Sequence, residues 1–424
     1  MLDLSAKLPE KVDLIGSLRV EGEGLEPAAH ISRVLSIVRT HLNMDVGFVS
    51  EFSEGRRVFR HVDNGVETSP VRVGGSDPLE ESYCKRIVDG RLPELMQDAC
   101  AVPAALELEV TRQLPVGAHI SVPLRLPDGK LFGTFCCFSF TADYSLNRRD
   151  LSILRAFAAV VSELIYAELE LERRFEIKRD RVLTAIETAA FHVRYQPIFR
   201  MSDEAVAGFE ALARFTPEPY RPPDEWFNEA ADVGLGAELE IAAARQAMLA
   251  LDALPEDVML SVNFSPETIL SAAFGELLHG APLKRLVVEV TEHAAVANYG
   301  VLAARLLPFR NRGLQLAVDD AGAGHASFRH VLDLRPDTIK LDISLTRNIN
   351  QDRGRQALAG ALSIFGRAMG SQIVAEGVET VEELNTLRRV GVTKVQGYLT
   401  GRPMSLDDAL SLAGLRKSQT ALRA

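Results

Sequence analysis

Eight short β-rich segments recur through the second half of the chain, at 193–199, 208–215, 258–264, 286–290, 314–318, 338–341, 372–375 and 394–398, with helical stretches between them. Such alternation leaves few architectures open. Crossovers of this kind join parallel strands, so the strands are expected to be mostly parallel. Eight units in roughly 240 residues fit an α/β fold of the TIM-type (β/α)8 barrel class.

Upstream the pattern changes. Ile31, Val34, Leu35 and Val38 share one helical face, and 46–52 favours a strand. Segments 118–126 and 131–140, joined by Pro127-Asp128-Gly129, predict an antiparallel hairpin. Past Asn147, the apolar residues Leu154, Ala158, Val161, Ile165 and Leu169 recur at helical spacing and lead into a polar run ending at Arg181. The expected organisation is an N-terminal segment 1–26, a mixed α/β domain 27–165, a connecting helix 166–180 and the barrel 181–424. The helix stripe suits either a parallel dimer seam or packing on its own N-terminal domain.

Composition narrows the function classes. The 424 residues carry 58 Asp and Glu against 47 Lys and Arg, a formal charge of −11, which disfavours a nucleic-acid polymer as partner. With 47% hydrophobic and 25% charged residues, the chain is expected to fold rather than remain disordered. No run approaches the ~18 apolar residues of a membrane span, and the first residues lack the apolar core of a secretory leader. No membrane partner is expected, and the expected location is cytoplasmic. Cys84, Cys100, Cys136 and Cys137 form no Cys-x-x-Cys pair, and neighbours on a strand point to opposite faces, so buried thiols are expected rather than a 136–137 bridge.

In a barrel of this type the chemistry sits at the C-terminal strand ends. Glu210, Asn263, Glu289 with Glu292, Asp319 with Asp320, Lys340 with Asp342, Glu376 with Glu379, and Gln396 stand there in order. Carboxylates so gathered repel unless a cation holds them, and oxygen donors suit Mg²⁺ or Mn²⁺. The adjacent Asp319 and Asp320 allow two ions, an arrangement used for in-line attack on phosphorus.

The motifs Tyr195-Gln196-Pro197-Ile198, Glu210-Ala211-Leu212-Ala213-Arg214, Ser261-Val262-Asn263-Phe264-Ser265, Val288-Glu289-Val290-Thr291-Glu292, Asp319-Asp320-Ala321-Gly322, Ile339-Lys340-Leu341-Asp342, Ala375-Glu376-Gly377-Val378-Glu379 and Gln396-Gly397-Tyr398 resemble, in order, those of the EAL family of cyclic-di-GMP phosphodiesterases. The resemblance implies hydrolysis of cyclic-di-GMP to linear pGpG. It implies Glu210, Asn263, Glu289 and Asp319 as metal ligands, with Asp320 on a second ion. Glu376 and Lys340 would hold and activate water, Gln396 would orient them, and Arg214 would contact substrate. Glu292 would fix the loop after the fifth strand, and Asp342 would support the substrate side. Where the family carries aromatic residues, this chain has Ala321 and His325, so that loop is expected to be less rigid. Tyr83-Cys84, Leu92-Pro93-Glu94, Asp98-Ala99 and Leu131-Phe132-Gly133 resemble a GAF sensory domain, whose ligand the sequence leaves unknown. Cys84 and His119 are expected to be a packed thiol and an ordinary strand histidine. The resemblance further implies a homodimer regulated through the GAF-like domain. A receptor that binds cyclic-di-GMP without cleaving it is the competing reading.

Overall fold

The computed structural model describes residues 27–67, 69–290, 298–321 and 331–421, which fall into two units dividing between Arg174 and Phe175. In the first, β1 (Val46–Ser53), β2 (Arg56–Asn64), β3 (Ser76–Pro78), β4 (Leu95–Met96), β5 (His119–Arg125) and β6 (Leu131–Phe138) form an antiparallel sheet of order β3-β2-β1-β6-β5-β4. The predicted hairpin is β5–β6. Gly129 takes φ +86, open cheaply only to a residue without Cβ, while Asp128 accepts the Lys130 N–H at 2.9 Å.

Each face of the sheet buries its own apolar cluster. On one side Ile31, Val34, Leu35 and Val38 of the helix Pro27–His41 pack with Cys137 and with Leu154, Ala158, Val161 and Ile165. On the other, Phe48, Tyr83, Cys84, Met96, Cys136 and Phe138 come together. Cys136 and Cys137 therefore lie on opposite faces, as strand alternation requires. The stripe from Leu154 to Ile165 is no more than 5% exposed and is covered by its own unit, so of the two arrangements open to it the structure takes the internal one.

That stripe belongs to a single helix, Arg148–Glu187. Asn147 starts it: its side chain accepts the Arg149 N–H at 2.9 Å, and Asp150 accepts the Asn147 N–H at 2.9 Å, a reciprocal cap. Among the described residues no helix is long and apolar enough to cross a membrane.

In the second unit β7 (Phe191–Arg200), β8 (Val206–Phe215), β9 (Met259–Phe264), β10 (Leu286–Val290), β11 (Gln315–Ala321), β12 (Thr338–Leu341), β13 (Gln372–Ala375) and β14 (Lys394–Gln396) close into a barrel. The eight predicted segments are its strands. Strand β7 departs from the parallel pattern, running antiparallel to both β8 and β14. The connection 201–205 is the reason, because so few residues can turn a hairpin but cannot make a parallel crossover.

Strands β10 and β12 are buried along their whole length, and β10 accordingly reads as an apolar run broken only by Glu289. Leu286, Val288 and Val290 face the surrounding core, and the alternate position puts Glu289 inside the barrel. A buried aliphatic side chain at such a position contributes about 1.5–3 kcal/mol, which Glu210, Glu289, Lys340 and Gln396 forgo. Buried charge in place of packing marks a site.

Candidate active site

Strand register brings the inward polar residues to one level. Glu210 pairs with Gln196 on β7 and Ser261 on β9, Glu289 pairs with Asn263, and Gln396 pairs with Ile198. At the centre stands the Lys340 ammonium, 1% exposed. Its Nζ lies 2.6 Å from Glu289, 2.7 Å from Glu376, 3.2 Å from Asp319 and 3.5 Å from Glu210. Glu210 is held on its other side: Asn263 donates to its Oε1 at 2.9 Å and Gln396 to its Oε2 at 2.6 Å. Gln396 also reaches Gln196 at 3.2 Å.

Four carboxylates around one ammonium leave an excess of negative charge in a buried space. Burial pushes the Glu289 carboxyl up to about 8 against the opposing pull of Lys340, and the charges of Glu210 and Asp319 add to the rise. Burial likewise raises Glu376 well above the usual carboxylate range. Glu210 moves the other way, because Lys340 and the amides of Gln396 and Asn263 outweigh its burial. Burial opposes the charge on Lys340, but the four carboxylates overcome it and hold the amine protonated.

The set is short of positive charge and has an acceptor to spare. The Asn263 amide oxygen is buried without a hydrogen-bond partner, and so is that of Gln396. Among the described residues no three His, Cys, Asp or Glu side chains already stand as a metal cage; the carboxylates close on Lys340 instead. Glu210, Asn263, Glu289 and Asp319 nonetheless offer the hard oxygen donors a divalent cation takes, and the orphaned Asn263 oxygen fits such an ion.

Around this centre the other predicted residues divide. Arg214 is half-buried on β8 and donates to the Ala213 carbonyl at 2.7 Å; with Asn263, Glu240 and Phe227 it lines an adjoining cavity of about 240 Å³. Asp342 is not drawn into the cluster and caps the helix Ile343–Thr346, accepting the Ser344 N–H at 2.9 Å. Asp320 lies in β11. Glu292 and His325 lie outside the described residues. Glu379 pairs with Arg347 at 2.6 Å.

Two structural supports escaped the sequence reading. Glu383, 2% exposed, accepts the N–H groups of Glu379 (2.9 Å), Thr380 (3.1 Å) and Asn348 (2.8 Å) and so ties down the loop that follows Glu376. Its signal was present as the capping box Thr380-x-x-Glu383. Gly397 permits the other support: a Cβ there would lie 2.2 Å from the Val378 carbonyl oxygen, so only glycine lets the end of β14 pass this close to the Glu376 loop.

Residues 179–403, which include all the described members of the cluster, match the family profile of the EAL domain. The chain belongs to the EAL domain family. Residues 28–165 match the GAF domain. An uncharacterized signaling protein of Caulobacter vibrioides is 30% identical over 352 residues, covering 81% of this chain and 41% of that one. The probable cyclic di-GMP phosphodiesterase PdeN of Escherichia coli is 30% identical over 241 residues, 54% of this chain and 46% of that one. Both relatives are more than twice as long as the stretch they share with this EAL protein. The crystal structure of an EAL domain protein from Listeria monocytogenes superposes with a TM-score of 0.50 at 23% identity, over 55% of this chain and 96% of that one, a likeness of fold.

Proposed function

We propose that the EAL domain hydrolyses cyclic-di-GMP to linear pGpG with Mg²⁺ or Mn²⁺. The observation that carries the reading is the convergence of Glu210, Glu289, Asp319 and Glu376 on Lys340 beside an Asn263 oxygen with no partner. Glu210, Asn263, Glu289 and Asp319 would hold one ion, and Asp320 would serve a second. Bound there, divalent cations lower the pKa of water and polarise the phosphoryl oxygen.

The chain's own groups do the rest. Glu376 orients water and accepts its proton, and Lys340 offsets the charge that grows on the phosphate oxygens. Gln396 keeps Glu210 aimed by its 2.6 Å hydrogen bond. Arg214 supplies a guanidinium fork to a substrate phosphate from the adjoining cavity. Asp342 supports the substrate side by fixing the start of its helix, and Glu292 would fix the loop after the fifth barrel strand. Incubation with cyclic-di-GMP and Mg²⁺ should release pGpG, and Ca²⁺ should support binding but not turnover, because its looser coordination misplaces the attacking water. Equal turnover in Ca²⁺ would contradict this reading. Binding without any cleavage in Mg²⁺ or Mn²⁺ would make the protein a receptor.

The GAF domain is read as the sensory part and the chain as a homodimer. Support comes from a second stripe on the Arg148–Glu187 helix: Ile153, Phe157, Val160, Leu164, Ala167 and Leu171 alternate four and three residues apart, with Val160 47% and Leu171 53% exposed. That is heptad spacing; Phe157 and Leu164 pack in part against their own unit, while Val160 and Leu171 stand open to a partner.

A further inference from the structure

We propose that Cys84 and Cys136 are a peroxide-oxidisable pair that closes to an intrachain disulfide. Their sulfurs lie 3.3 Å apart in the core of the GAF domain, one on the helix Tyr83–Val88 and the other on β6. Arg57 Nη1 stands 3.1 Å from the Cys84 sulfur. The guanidinium cannot drift from it: Arg57 Nε donates to Asp77 at 3.0 Å, and the group lies 5.4 Å from the Phe48 ring centre and 4.9 Å from that of Phe59. A fixed cation against one thiol, with a second thiol in contact, is the arrangement of an attacking and a resolving cysteine.

Burial alone would raise the Cys84 thiol, but the hydrogen bond from Cys136 and the Arg57 charge outweigh it and bring it down to about 6. At Cys137 burial outweighs the charge of the nearby Arg39 and pushes the thiol up to about 12. Arg57 and Tyr83 also wall a cavity of about 160 Å³, room enough for a molecule of peroxide's size to reach the guanidinium that touches Cys84.

The chemistry balances with hydrogen peroxide as the oxidant. The Cys84 sulfur attacks one peroxide oxygen; the S–O bond forms, the O–O bond breaks, and the departing hydroxide leaves as water with the thiol proton. Cys136 then displaces the hydroxyl of the sulfenic acid: the S–S bond forms, the S–O bond breaks, and the Cys136 proton leaves in a second water. Two thiols are oxidised and one peroxide is reduced. The partner is fixed by position, since Cys137 lies across the sheet and Cys100 is exposed on a separate turn.

The full chain, treated with hydrogen peroxide, alkylated after denaturation and digested without reductant, should give a peptide pair bridged between Cys84 and Cys136 that dithiothreitol separates. Cys137→Ala should leave the bridge unchanged, and Arg57→Met should slow its formation by about tenfold. Recovery of Cys84 and Cys136 as alkylated thiols after peroxide, or a bridge to Cys100 or Cys137 in their place, would overturn the proposal. A wild-type rate in Arg57→Met would overturn the role given to the guanidinium.

Discussion

Lys340 carries more of the site than its sequence position suggested. Read along the chain, it is a polar residue at one strand end; folded, it holds carboxylates from β8, β10, β11 and the loop after β13. That convergence depends on register between strands distant in sequence, which periodicity cannot supply. Lys340→Ala should lower kcat by about 10²–10³ with a smaller change in KM, because the charge it meets grows in the transition state. Steady-state kinetics decide it, and an affinity loss without a rate loss would contradict the role. Glu289 adds a pH dependence: with its carboxyl near 8, a proton must leave before a cation is held, so metal affinity should rise with pH up to about 8. Calorimetric Mn²⁺ titration at several pH values tests this, and a flat profile would count against Glu289 as a ligand.

His119 offers an independent check on the GAF core. It is fully buried, stacked on Tyr83 at 4.9 Å, and burial with the nearby Arg57 charge takes its pKa down to about 3. An exposed imidazole titrates near 6.5, so between these values the unfolded chain binds the extra proton, and stability falls as pH falls through that window. His119→Gln should reduce the loss between pH 7 and 4.5 by about 2 kcal/mol, measured by urea unfolding. An unchanged pH dependence would contradict its burial as a neutral ring.

At the scale of elements, the barrel strands were legible because short β-rich segments recur with helical stretches between them. The direction of β7 was not, since residue pattern is blind to direction and only the shortness of 201–205 betrays it. The helix Arg148–Glu187 shows a different limit: its sequence holds two apolar stripes, and nothing in their spacing told which one the N-terminal unit would cover. With the Leu154 stripe buried, the dimer prediction moves to its neighbour. Val160→Asp with Leu171→Asp should weaken self-association by more than tenfold in sedimentation while leaving the fold intact. Glu383→Ala should cost about 2 kcal/mol through the backbone groups it leaves unpaired, and lower turnover through the loop beside Glu376.

At the scale of the whole molecule a GAF domain precedes an EAL barrel, and the proposed function makes the first a sensor for the second. A fragment starting near Lys178 retains the described cluster and should lose dimer affinity with altered turnover; a fragment matching the full chain in both would remove the regulatory role given to the GAF domain. The central claim is the chemistry of the cluster, and one comparison tests it most directly: the full chain and its Glu210→Ala variant, each incubated with cyclic-di-GMP and Mn²⁺ and followed by chromatography for pGpG. The unmodified chain should release pGpG, lost on chelation and absent from Glu210→Ala. Cyclic-di-GMP bound but left uncleaved by the unmodified chain in Mn²⁺ would contradict it.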